Sequence, residues 1–165
     1  MAQLQKAVAI AAPFTAGFEG FRASPYFDVN GYAIGYGNHY YSDGTAVEQT
    51  DDPISQPDAW DLMNFYLSQA AAVINGAITV SLSNNQLAAL SDVHYNQGSL
   101  GSALLNLING GADTATVAAS LAGTGTAARG AARAALYSQG LFASPTLAVI
   151  GVTSGILIAV GVFSK

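Results

Sequence analysis

The chain of 165 residues has no cysteine, little charge and few basic side chains, and each shortage narrows what it can do. Without Cys there is no disulfide framework, no thiolate zinc site and no thiol nucleophile, while either redox compartment stays open. Five Lys and Arg against ten Asp and Glu leave a formal charge of -5. That offers no basic surface able to displace the counterions of a phosphate backbone, which argues against a nucleic-acid partner. The two histidines, His39 and His94, are too few and too scattered to imply a metal site, and nothing implies a cofactor. Only 9% of the chain is charged and 51% is hydrophobic. An ordinary soluble domain carries roughly 25% charged residues, so part of this chain is expected to lie out of water. The length suits one domain with a real core.

What is present is organised by period. Gln3 to Phe18 is Ala-rich and apolar, is interrupted by Pro13, and reads as a first helix ending near Glu19. The rival reading, the apolar part of a secretory signal, has only Lys6 as a basic flank and no clear cleavage context. From Ser24 to Tyr41 aromatics and glycines alternate with polar residues around Asn30-Gly31, a pair that tolerates positive φ, which predicts a β-hairpin. Ser42 to Pro57 has no apolar period and reads as a loop, or a short third strand followed by a loop.

Helices then follow. Pro57 and Asp58 stand where one should start, and Trp60, Met63, Leu67, Ala71 and Ile74 recur at helical spacing up to Asn75-Gly76. Ser83 is placed to cap a second, in which Leu87, Leu90, Val93 and His94 share a face before Gln97-Gly98. Shorter helices are expected over Ser102 to Ile108, Asp113 to Leu121 and Thr126 to Gln139, each after a capping residue and most before a glycine. The fold class is α+β, mostly helical with a small N-terminal hairpin, over residues 1–140.

Pro145 to Phe163 contains no charged residue. As a helix it would span about 28 Å at 1.5 Å per residue, close to the roughly 30 Å of bilayer hydrocarbon. It lacks the polar face of a surface helix, so residues 141–165 are expected to form a transmembrane anchor, with residues 145–163 in the lipid membrane. Gly151 and Gly155 make a small-xxx-small pair, a route to self-association. Lys165 on one side and Arg129 and Arg133 on the other leave the orientation open.

The chemistry centres on Glu19 and, nine positions later, Asp28. Glycosidic hydrolysis needs one carboxyl held protonated for the leaving oxygen and a second kept ionised for water or for the developing positive charge. Phe18 and Phe21 give Glu19 an apolar flank that would raise its pKa, whereas Asp28 precedes the polar turn Val29-Asn30-Gly31. Asp28 could also be only a turn-stabilising carboxylate. Glu19 at the carboxy end of a helix opposes the helix dipole, a local cost that suggests a function.

The whole stretch FEGFRASPYFDVNGYAIGYGNHY, Phe18 to Tyr40, resembles the catalytic segment of phage-type lysozymes, glycoside hydrolase family 24. The residues that carry the resemblance are Glu19-Gly20, Tyr26, Asp28, Gly31 and Ile34-Gly35-Tyr36-Gly37. His94 to Asn109 resembles the family's cleft-lining segment more loosely, and Arg129, Arg133 and Leu136 fall where it has a basic closing helix. The resemblance implies a lysozyme-like domain that cleaves bacterial peptidoglycan, with Glu19 as general acid and Asp28 as the second carboxylate. With the tail, it implies a membrane-anchored phage enzyme, in a virion membrane or the host inner membrane, acting at infection or at lysis.

In one respect the sequence departs from the family, which usually has Thr before the I-G-Y-G strand where this chain has Ala33. Thr45 or Asn38 could substitute for the missing hydroxyl. Otherwise Asp28 alone positions the water, or the enzyme releases an anhydro product as a lytic transglycosylase, the alternative to hydrolysis on the same fold; an inactive wall-binding virion protein is the alternative from another class. Tyr26, Tyr32, Tyr36, Tyr40 and Tyr41 could form a sugar-binding wall or be simple strand-formers. Tyr26 and Tyr36 are expected to bind substrate, with Asn96, Gln97 and Ser99 either hydrogen-bonding its N-acetyl groups or only ending a helix. His39 and His94 are read as structural or surface residues. Arg129 and Arg133, four apart, face anionic wall polymer or balance the acidic surface.

Overall fold

A computed structural model describes residues 2–139. The expected membrane helix over residues 145–163, with Gly151 and Gly155, lies outside the described residues. Among those described, no helix is long and apolar enough to cross a membrane. Six helices and one hairpin follow in the order α1 (Ala2–Glu19), β1 (Arg22–Asp28), β2 (Gly31–Gly35), α2 (Gln56–Ala77), α3 (Asn84–Gln97), α4 (Gly101–Asn109), α5 (Thr114–Ala122) and α6 (Ala127–Ser138). This is the α+β, mainly helical arrangement with a small two-stranded sheet expected from the sequence.

Local chemistry sets most boundaries. Ser55 caps α2, its hydroxyl accepting from the Asp58 N–H, and Asp58 sits in the first turn where the helix dipole favours a carboxylate. Ser83 and Gln86 form a reciprocal capping box on α3, which ends on left-handed Gly98. Asp113 and Thr126 cap α5 and α6 with single bonds, each side chain accepting from the N–H three residues on. Helix α4 has no side-chain cap, since Leu100 stands at that position. The hairpin turn is Val29-Asn30 rather than Asn30-Gly31, because Asp28 pairs directly with Gly31. No third strand forms in the loop that follows; isolated bridges join Ile34 to Asn38 and Tyr40 to Ala46.

Helix α3 runs through the centre of the molecule, packed by α1, α2 and α6. Every residue from Leu87 to Val93 is buried, so the single apolar face read from Leu87, Leu90 and Val93 understates its burial. A helix surrounded on all sides needs no polar stripe. Leu67, Ile74, Leu87, Leu90, Val117 and Leu121 belong to this main core. A second, smaller cluster of Ile34, Val47 and Leu62 sits under the hairpin. Helix α2 contributes to both, with Met63 and Leu67 in one and Leu62 in the other.

The hairpin meets α2 at Gly35, whose φ is +66° and where a Cβ would come within 2.9 Å of the Ala59 Cβ. Gly35→Ala should therefore cost about 1–3 kcal/mol in strain and contact. Gly76→Ala, in α2 with open space around it, should instead stabilise by about 0.4–1 kcal/mol through the unfolded chain. Urea unfolding of both variants tests the pair; equal midpoints would contradict the close approach at Gly35.

Candidate active site

Glu19 is the last residue of α1, and Gly20, at φ +70°, turns the chain directly into β1. Glu19 Oε1 accepts a hydrogen bond from Arg129 Nη1 at 2.6 Å. The guanidinium thus offsets the unfavourable position of a carboxylate at a helix carboxy end. The apolar surroundings expected for Glu19 are not what the carboxylate meets. Phe18 and Phe21 are both exposed, and the Arg129 guanidinium lies 5.5 Å from the centre of the Phe18 ring.

Arg129 is itself fixed from behind. Its Nε donates to Asp92 Oδ2 at 3.0 Å and its Nη2 to Asp92 Oδ1 at 2.6 Å. Asp92 also accepts from the Thr15 hydroxyl at 2.7 Å and from Arg133 Nε at 2.7 Å. Arg133 spends its remaining donors on the carbonyl and hydroxyl of Thr124, the Asp92 carbonyl and Asn96 Oδ1. Asp92 and Arg133 are wholly inaccessible to solvent and Arg129 nearly so. The two arginines expected at the surface are therefore interior, because Arg129 finds two carboxylates there, Arg133 finds a carboxylate and two backbone carbonyls, and two cations face two anions.

Burial alone would push the Asp92 carboxyl up. The hydrogen bonds and charge of Arg129, the Thr15 hydroxyl and Arg133 outweigh it and hold its pKa below the ordinary 3.8. Burial likewise works against Arg129, yet Asp92 and Glu19 hold it above its usual value.

Asp28 closes β1 with its side chain 45% exposed. Its Oδ1 accepts from the Val29 N–H at 2.6 Å, and its Oδ2 lies 3.6 Å from His39 Nε2. Tyr26 stands near both carboxylates. Burial raises its phenol first, Arg22 opposes, and the charges of Asp28 and Glu19 raise it further, so the hydroxyl keeps its proton. The Arg22 guanidinium lies 4.3 Å from the centre of its ring.

Gly37, at φ +86°, comes close to the acid: a Cβ there would lie 3.4 Å from Glu19 Oε2 and 3.9 Å from the Tyr26 hydroxyl oxygen. The Tyr95 hydroxyl holds this turn by donating to the Tyr36 carbonyl at 2.9 Å, with Asn38 Oδ1 at 3.2 Å as a second acceptor. Gly37, His39 and Tyr40 form one wall of a groove of about 410 Å³, opposite Tyr66, Gln69 and Val73 of α2 and His94, Tyr95 and Gly98 at the end of α3. Gly37 joins this groove to Glu19, and His39 joins it to Asp28.

The other expected contacts are dispersed. Tyr36 is 4% exposed, its ring packed edge-on against Trp60 and its hydroxyl accepting from Gln56 Nε2, so it has almost no surface for a sugar. Tyr41 donates to Asp51, Tyr32 packs on Phe27, and the even spacing of tyrosines does not build one wall. Asn96 and Gln97 are exposed but do not line the groove, because residues 94, 95 and 98 occupy the facing side of α3. The sequence reading missed Asp92 and Tyr95. An aspartate inside an apolar run, in a chain with so little charge, was the available signal for Asp92; no signal distinguished Tyr95 from any helical tyrosine.

The phage lysozyme family matches residues 16–137. Among solved structures, a P22 lysozyme mutant is similar, with 22% identity and a TM-score of 0.66, over 79% of this chain and 96% of that one. The muramidase domain of SpmX from Asticaccaulis excentricus is 22% identical, with a TM-score of 0.61, over 78% and 94%. An endolysin from the Escherichia coli O157:H7 phage FAHEc1 is 20% identical, with a TM-score of 0.62, over 87% and 94%. These likenesses show the fold. No curated protein matches the chain.

A carboxyl with a depressed folded pKa contributes stability that is present above its unfolded value and is lost as pH falls through the folded one. Wild-type thermal stability should thus decline as pH drops below the ordinary 3.8 of Asp92. Asp92→Asn should remove that part of the decline and, by leaving two buried cations undercompensated, cost about 3–5 kcal/mol at neutral pH. Melting temperatures from about pH 6 to about pH 2 decide it; identical acid slopes in the two proteins would refute the assignment.

Proposed function

The chain belongs to the phage lysozyme family and is a glycoside hydrolase of the lysozyme type, and from that premise we propose that it cleaves the β-1,4 bond between N-acetylmuramic acid and N-acetylglucosamine in bacterial peptidoglycan. The observation that carries the reading is the groove of about 410 Å³ that reaches Glu19 through Gly37 and Asp28 through His39. A carboxyl pair next to a groove is the arrangement that glycosidic hydrolysis requires.

Arg129 holds Glu19 by Oε1, while Oε2 faces Gly37, a residue that lines the groove. Oε2 is the oxygen from which a proton passes to the glycosidic oxygen as the bond to C1 breaks. Water adds to C1 and gives up a proton to Asp28, whose more exposed carboxylate also faces the positive charge on the sugar ring. Tyr26, beside both carboxylates, is the expected substrate contact that best keeps its place in this scheme.

Ala33 favours a second reading. It is fully buried and offers only a methyl where the family has a hydroxyl. If no other group places water, attack by the substrate's own hydroxyl yields an anhydro product, the outcome of a lytic transglycosylase. We retain residues 145–163 as a membrane anchor that holds the catalytic domain beside the wall at infection or lysis, on the ground that the run is charge-free and long enough to span.

Glu19→Gln should lower lytic activity by at least about a hundredfold with an unchanged melting profile; wild-type clearing of wall suspensions by that variant would sink the reading. Mass spectrometry of the digest separates reducing muramic acid, expected for hydrolysis, from anhydro-muramic acid. For the anchor, the full chain should resist alkaline extraction from membranes while residues 1–140 remain in the aqueous phase. Full-length protein that is monodisperse in plain buffer would count against it.

A further inference from the structure

His39 was read from the sequence as structural or surface, yet its ring is held on both sides of the site. Nδ1 lies 3.0 Å from the Tyr32 carbonyl oxygen, an acceptor only, so Nδ1 carries a proton and donates. Nε2 is thereby left facing Asp28 Oδ2 at 3.6 Å. The backbone beneath is also fixed, because the His39 carbonyl accepts from the Val47 N–H at 2.9 Å. With Oδ1 of Asp28 taken by the Val29 N–H, Oδ2 is the oxygen left for chemistry.

The two side chains considered as replacements for the hydroxyl absent at Ala33 are otherwise engaged or displaced. Asn38 is buried with Oδ1 toward the Tyr95 hydroxyl, and Thr45 is exposed in the loop where its N–H meets Asp43. The geometry points to His39 as the positioning residue for Asp28, deepening the proposed hydrolase reading on which it rests. The 3.6 Å gap is longer than a direct hydrogen bond. It accommodates an ion pair with a protonated ring, or a water that both Oδ2 and Nε2 touch. Either way His39 fixes the orientation of Oδ2 and marks where a water must sit to reach the sugar. Because His39 also lines the groove, that water stands on the substrate side.

Two variants separate this role from simple anchoring. The amide nitrogen of Gln reaches the place of Nε2, and that of Asn the place of Nδ1. Full-length His39→Gln should keep most of kcat on soluble peptidoglycan fragments. His39→Asn and His39→Ala should lower kcat on the order of tenfold or more, the scale on which partners that orient a reacting ligand act, with KM little changed. In an Asp28→Asn background the His39→Ala loss should vanish, since the residue acts through that carboxylate. Retention of activity by His39→Asn but not by His39→Gln, or losses at positions 39 and 28 that multiply, would overturn the inference. Glu19→Gln assayed alongside, with the product identified by mass spectrometry, separates the two failures: if it is inactive and the wild-type product is reducing muramic acid, the hydrolase reading stands whatever His39 does, and if it is active both fall.

Discussion

Asp92 is a carboxylate with no access to water, and the placement of Glu19 follows from how that charge is neutralised. Isolated, it would be too costly to bury. It is tolerable because Thr15 from α1 and Arg129 and Arg133 from α6 converge on its two oxygens. Once Arg129 is drawn in, its Nη1 points at Glu19. Three helices are thereby held in one angular relation by polar contacts that tolerate far less displacement than apolar packing does. A liquid-like core of alanine and leucine would leave Glu19 free to turn; a cluster of paired charges does not.

The second carboxylate depends on a different part of the molecule. Asp28 rides on a two-stranded hairpin, a unit with little stability of its own. It is supported by the small cluster of Ile34, Val47 and Leu62 and by the close seating of Gly35 on Ala59. Because α2 belongs to both clusters, it carries the hairpin and the helical body on a single rigid element. The groove lies along α2, between the wall that bears Gly37 and His39 and the end of α3. Its two sides are thus spaced by one helix rather than by loop contacts.

How much of this was legible depended on range. Elements with local causes were readable: the cap at Ser83, the starts of α5 and α6 to within one residue, the Gly98 stop, and the hairpin to within one residue of its turn. The carboxylates Glu19 and Asp28 were readable as a motif. What could not be read was who faces whom. Arg129 and Arg133, at i and i+4, carry the same signature on a surface helix as on one that buries both cations, and only the position of Asp92, in another helix, decides between them. Tyr36 shows the same ambiguity, since strand spacing is indifferent to whether the aromatic face meets a sugar or Trp60. Burial all round α3 was hidden too, because three neighbouring helices have to be in place before it exists.

Glu19 and the arginine that holds it are separated by 110 residues. The acid is among the first parts of the chain to be synthesised, and its cation among the last to be synthesised before residue 139. A nascent chain that has already made both carboxylates therefore lacks the group that aims one of them. Until α6 docks, α1 ends in a carboxylate opposed by its own helix dipole and unrestrained in direction. A chain built in this order has the direction of Glu19 fixed only after residue 129 has been made and α6 has docked.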